Sequence, residues 1–194
     1  MKATNSPTEP KSAHDRLLAA AEALFYEEGL NTVGIERVIE RAGVAKASLY
    51  SNFGSKDELI RSYLATRQQG RQARLQAKLS QYHLPRDKML GVFDYLEELL
   101  GQPSFRGCAF MRAGNESKPG SSVREVCDDA RRWMLTLFTD LAREAGAPQP
   151  EALAQQFVIL YDGALISAQM DGNAAAAVQA RAMASGLLDA ALGG

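Results

Sequence analysis

Between Lys46 and Lys56 the chain gathers groups suited to holding and reading a partner. Lys46, Ser48, Tyr50, Ser51, Asn52, Ser55 and Lys56 supply two ammonium groups, four hydroxyls and one amide within eleven residues. Such groups match the donors and acceptors on base edges and the oxygens of a phosphate backbone. Bond-breaking chemistry has no comparable cluster. His14 and His83 are the two histidines, and neither has a Ser, Cys or carboxylate at a spacing that would support a triad. Cys108 and Cys127 lack metal-ligand spacing, and no G-x-x-x-x-G-K or G-x-G-x-x-G loop occurs. The expectation is a binding protein and not an enzyme, with no cofactor and no metal.

Two short helices would position these groups. Val38, Ile39 and Ala42 give the first an apolar face, Gly43 ends it, and Val44 restarts the chain towards Leu49. A glycine-containing turn of three or four residues between two such helices marks a helix-turn-helix. The second helix, about Ala45 to Asn52, turns Leu49 and Phe53 inward and leaves Lys46, Ala47, Ser48, Tyr50, Ser51 and Asn52 to face outward or flank the buried side. Ser55 with Glu58 forms a capping box for the next helix. That places Lys56 at a helix N-terminus, where unpaired N–H groups and the dipole favour an anion. Lys56 and Tyr50 are therefore expected on phosphates, and Lys46, Ala47, Ser48, Ser51 and Asn52 on bases or backbone. The plainer reading of each is a polar solvent face.

The run Ala42-Gly43-Val44-Ala45-Lys46-Ala47-Ser48-Leu49-Tyr50-Ser51-Asn52-Phe53-Gly54-Ser55-Lys56-Asp57-Glu58-Leu59, with Ala19 to Phe25 and Gly29 before it, resembles the TetR (tetracycline-repressor) family of bacterial transcriptional regulators. Members run roughly as A-G-V-S-K-G-T-L-Y-Y-H-F-x-S-K-E-E-L. The resemblance covers about the first third of the chain. Gly34-Ile35 stands where many members have threonines, and Ala45 where many have Ser or Thr. Both changes remove hydroxyls that cap a helix or touch a phosphate. The resemblance implies a ligand-released repressor that binds a palindromic operator in double-stranded DNA as a homodimer. The rival reading is a small-molecule-binding or cysteine redox-sensing protein with weak or lost DNA binding.

Periodicity predicts an all-α chain of about nine helices, with a DNA-binding domain at 12–74 and a larger domain at 75–194. The hydrophobic fraction is 46% and the charged fraction 23%, ordinary for a soluble globular chain. No apolar run is long enough to span a membrane. Met1 to Lys11, polar and carrying Pro7 and Pro10, reads as a disordered leader, and two cysteines suit a reducing cytoplasm. The net charge of −1 divides unevenly: residues 1–78 hold 12 Lys+Arg against 9 Asp+Glu, and the rest 10 against 14. From Leu59 to Arg86 six cations stand without an acid; Arg61 reads as DNA-facing and the others as a solvated face.

In the second half Ser122 with Glu125 is expected to cap a long helix, and Pro150 to open the next. Phe93, Phe110, Met111, Trp133, Phe138, Phe157 and Tyr161 are large and apolar or aromatic. Plain core is the common fate of such residues. The resemblance implies instead that they line a cavity for a small apolar or aromatic effector, with Trp133 and Tyr161 as polar handles. The helix from Pro150 is apolar on two sides, one through Leu153, Phe157, Leu160, Ala164 and Ala168, the other through Ile159, Gly163, Ile166 and Met170. Two buried faces need two partners. Gly163, Ala164, Ala168 and Ala175 of the following helix are small enough for close approach of a second subunit.

Overall fold

The computed structural model describes residues 12–193, so the expected leader lies outside the described residues. Among these residues the chain forms nine helices and no strand. They are α1 (Ala13–Glu28), α2 (Ile35–Ala42), α3 (Lys46–Phe53), α4 (Lys56–Leu79), α5 (Pro85–Leu100), α6 (Ala109–Glu116), α7 (Ser122–Glu144), α8 (Pro150–Asp171) and α9 (Ala175–Leu192). The packing groups the chain into two units, one up to Tyr63 and one from Leu64. That division lies within α4, the helix that also contains the expected boundary near residue 75.

In the first unit α1 packs on α2 and α3. Ser12 opens α1 by accepting from the Asp15 N–H at 3.1 Å, which satisfies one of the donors a helix start leaves unpaired. Leu17, Ala21, Leu24 and Phe25 recur at helical spacing along α1 and are buried, as are Val33, Val38, Leu49 and Leu59. The His14 ring stacks on Phe53 at 4.8 Å, and Phe25 meets Tyr63 at 5.8 Å.

In the second unit α8 packs on α7 and α9, and α5 on α7 and α9. Phe93, Phe138 and Phe157 are fully buried at its centre, with ring centroids 5.3 to 6.3 Å apart. Pro150 opens α8 in its first turn, where a missing N–H costs nothing. The cap of α7 differs from expectation by one residue. Ser121, not Ser122, accepts from the Arg124 N–H at 3.3 Å, because Ser122 already lies inside the first turn. Three of the six cations after Leu59 pair with acids from neighbouring turns and helices: Arg61 with Glu58, Lys78 with Glu98 and Arg86 with Asp189. Among the described residues no helix is long and apolar enough to cross a membrane.

Candidate functional site

Helix α2 stops because Gly43 takes a left-handed conformation, φ 62° and ψ 43°. Its N–H donates to the Glu40 carbonyl at 3.1 Å, and the Val44 N–H reaches back to Ile39 at 3.3 Å. The turn thus occupies carbonyls that the helix end would leave unpaired. A side chain with a Cβ would be disfavoured there by roughly 1–2 kcal/mol. Arg16 of α1 donates to the Gly43 carbonyl at 3.2 Å and holds the turn from a third helix.

Helix α3 begins with Ala45 at its cap and no side-chain hydrogen bond, and α2 begins in the same way at Gly34. These are the two positions at which the hydroxyls expected of a TetR-like sequence are missing. Leu49 and Phe53 are buried beneath α3. Lys46, Ala47, Tyr50, Ser51 and Asn52 are exposed, and Ser48 is half-buried. Asn52 Nδ2 and Ser51 Oγ both donate to the Ser48 carbonyl, at 2.7 and 3.2 Å, so these two side chains fold back along the helix. Ala47 and Tyr50 stand beside them on the open face.

The charges around this face differ in how far they are committed. Lys46 Nζ lies 2.7 Å from Glu36 Oε1, with both side chains more than half exposed. The hydrogen bond to Glu36 raises the pKa of Lys46 and keeps it charged. An ion pair so exposed to water contributes little, so the Lys46 ammonium is easily parted from its carboxylate. Lys56 is placed differently. Its ammonium donates to the Leu30 carbonyl at 2.7 Å and sits 6.0 Å from the Phe25 ring centroid. It ties the α1–α2 connection to the start of α4 and has donors left over. Ser55 Oγ accepts from the Glu58 N–H at 3.1 Å, while the Glu58 carboxylate turns to Arg61. Arg37 clasps Glu28 through both terminal nitrogens, a bond that lowers the Glu28 pKa.

In the second unit the seven aromatic and apolar residues expected around a pocket separate into groups. Phe93, Phe138 and Phe157 are solid core. Phe110, Met111 and Tyr161 line a cavity of about 180 Å³, whose wall also holds Arg71, Cys108 and Cys127. Trp133 is half-buried, its ring 5.6 Å from the Arg71 guanidinium carbon. Burial pushes the Cys127 thiol up to about 11 and the Tyr161 phenol upward as well. Arg71 was expected on a solvated face. Its inward placement was signalled by its register, since Leu64, Gln68, Arg71, Leu75 and Leu79 follow one another at four, three, four and four residues.

The four small residues expected between subunits also divide. Gly163 and Ala175 are exposed, whereas Ala164 and Ala168, 4% and 5% exposed, pack inside their own chain. Leu153 and Phe157 share that inward stripe. The opposite stripe of α8 carries Ile159 at 67% exposure, Gly163, Ile166, and Met170 at 80%, and Val178 and Met183 of α9 are exposed too.

Residues 17–63 match the family described as bacterial regulatory proteins, tetR family. A solved TetR-family transcriptional regulator from Streptomyces coelicolor is 30% identical, with a TM-score of 0.87 over 93% of this chain and 96% of that one. The HTH-type transcriptional repressor KstR2 of Mycolicibacterium smegmatis is 30% identical over 91 residues, 47% of this chain and 44% of the repressor. The HTH-type transcriptional activator FasR of the same species is 43% identical over 53 residues, 27% of this chain and 23% of the activator. The chain thus spans less than half the length of these two curated relatives.

Proposed function

The chain belongs to the TetR family of bacterial regulatory proteins, and from that premise we propose a repressor that binds a palindromic operator as a homodimer and is released by a small effector. The observation that carries this reading is the α2–Gly43–α3 unit, braced by Arg16, with its outer face open. Helix α3 has 8 residues, so it is about 12 Å long and faces roughly three base pairs. Lys46 and Tyr50 would position it on the backbone, and Ala47, Ser48, Ser51 and Asn52 would meet base edges in the major groove. Ala47 allows close approach because it is small. Lys56 would contribute a remaining donor to phosphate while holding the first unit together.

So short a reading helix gives little affinity alone, which argues for two half-sites and two subunits. The exposed apolar stripe Ile159, Gly163, Ile166 and Met170, with Val178 and Met183, supports a second copy packing on α8 and α9. Apolar side chains spaced regularly along one face are costly in water and mark an interaction surface. Release requires an effector that binds one conformation of the dimer better than the other. The cavity walled by Phe110, Met111 and Tyr161 is the place proposed for it. The cysteine-sensor reading is weaker, since a thiol pushed up to about 11 is protonated at neutral pH and a protonated thiol is a poor nucleophile.

A mobility-shift assay with the DNA upstream of the chain's own gene tests the proposal. A specific complex is expected, weakened by Tyr50→Ala and Lys46→Ala. Failure to shift that DNA or any other duplex at low salt would contradict it.

A further inference from the structure

Among the described residues, four buried side-chain polar atoms have no hydrogen-bond partner: Gln68 Nε2 and Oε1, Arg71 Nε, and the Tyr95 hydroxyl. All three residues belong to the second unit, and Gln68 and Arg71 stand one turn apart on α4. The Arg71 charge acts on Tyr161, and both residues line the same cavity. Leaving a polar atom buried and unpaired costs about 1–3 kcal/mol, more for a charged group. Of the three, Arg71 lies on the cavity wall, and a charged group with an unpaired donor there points to a polar ligand.

Arg71 decides the sign of that ligand. One terminal nitrogen donates to the Ala130 carbonyl at 3.1 Å, and the guanidinium carbon lies 4.7 Å from the Phe110 centroid and 5.6 Å from that of Trp133. The two rings take up part of the cation's surroundings while Nε is left without an acceptor. No carboxylate among the described residues pairs with it, and the two aspartates on the cavity wall are already engaged: Asp162 with Arg131 and Asp128 with Arg124. Three arginines on the wall therefore face two aspartates. A guanidinium edge of this kind is shaped for a carboxylate, which it holds with charge-assisted hydrogen bonds.

Size and lining decide the rest. Phe110, Met111, Met134, Val158 and Leu165 make much of the wall apolar. A cavity of about 180 Å³ compares with the roughly 150 Å³ that holds one benzene ring. We propose that the effector is a small carboxylic acid with one ring, or an aliphatic chain of similar bulk, its carboxylate held by Arg71 and its body against Phe110, Met134 and Leu165. Tyr161, on the same wall, offers a hydroxyl to a further polar substituent. This inference rests on the proposed role of the second unit as an effector domain.

Calorimetric titration of the full chain tests it, using benzoate, cyclohexanecarboxylate and hexanoate, each against its own neutral amide. At least one acid should bind roughly tenfold or more tightly than its amide. Arg71→Met should erase that preference and Arg71→Lys should retain part of it, with circular dichroism reporting whether each variant folds. Equal binding of every acid and amide, or binding of no acid, would overturn the inference. Should Arg71→Met fail to fold, the acid–amide comparison on the unaltered chain decides alone. A mobility shift on the same preparation separates the two readings: retained DNA binding without acid preference overturns only the effector chemistry, and acid preference without DNA binding overturns only the regulator.

Discussion

Lys46 and Lys56 both stand at the start of a helix, and the fold treats them in opposite ways. The Lys46 ammonium is held only by the exposed Glu36 carboxylate, an arrangement DNA can displace at little cost. The Lys56 ammonium is anchored on the Leu30 carbonyl beneath a turn of the first unit. Lys46→Ala should therefore weaken binding to all sequences and flatten the salt slope by about one unit per subunit. Glu36→Gln should tighten binding up to roughly fivefold by removing the competing acid. Filter binding across a salt series checks both, and a Glu36→Gln variant that binds more weakly would show that Glu36 itself supports the complex. Cys127 gives a separate test at high pH. Burial has raised its folded-state pKa to about 11, above the value it regains on unfolding, so the unfolded chain loses this proton first. The associated stability is present below the unfolded pKa and is lost as pH rises towards about 11. Tyr161 and Tyr82 are also raised, both chiefly by burial, and act in the same direction. The comparison that isolates the thiol is thus wild type against Cys127→Ala, and the urea midpoint of the variant should fall less steeply with pH.

At the level of helices, the boundaries carry a prediction of their own. Ala45 leaves the start of α3 without a side-chain cap, so Ala45→Ser should stabilise the first unit by about 1 kcal/mol. Urea unfolding at unchanged m would register this, and an unchanged or lower midpoint would show that the Ala45 backbone cannot present a hydroxyl to α3. Most boundaries were legible because they are set by local chemistry. Gly43 and Gly172 end helices in left-handed conformations, and Ser12 and Pro150 open them. The α7 cap was misplaced by one residue because two serines adjoin, and only the direction of Ser121 Oγ towards the Arg124 N–H separates them. Arg71 was harder to read. A cation among other cations suggests solvent, and its place on the Leu64–Leu75 stripe becomes decisive only when Phe110 and Trp133, from distant helices, supply the aromatic faces around it. Helix α8 shows the limit of periodicity. Both sides are apolar, and which side the chain covers depends on α7 and α9, so spacing separated Ala164 and Ala168 from Gly163 without showing which stripe faces the chain's own core.

For the whole molecule, the side of α8 that the chain leaves open matters most. Ile166 stands in the middle of the stripe from Ile159 to Met170 and is exposed. Ile166→Glu should leave the chain folded, since the side chain contributes little to its own core. Across a two-fold axis the same change would bury two like charges close together. Light scattering should then report a monomer, and operator affinity should collapse because one α3 contributes too little alone. A variant that stays dimeric would move the interface away from this face.

If two copies of α3 read DNA together, the duplexes that the wild-type protein selects from a random pool must carry two half-sites. The expected result is enrichment of an inverted repeat whose half-sites lie about one helical turn, roughly 10 base pairs, apart. Ser51→Ala or Asn52→Ala should lose that enrichment while the chain remains folded. No enriched sequence, or the same inverted repeat recovered undiminished by both variants, would contradict that joint reading.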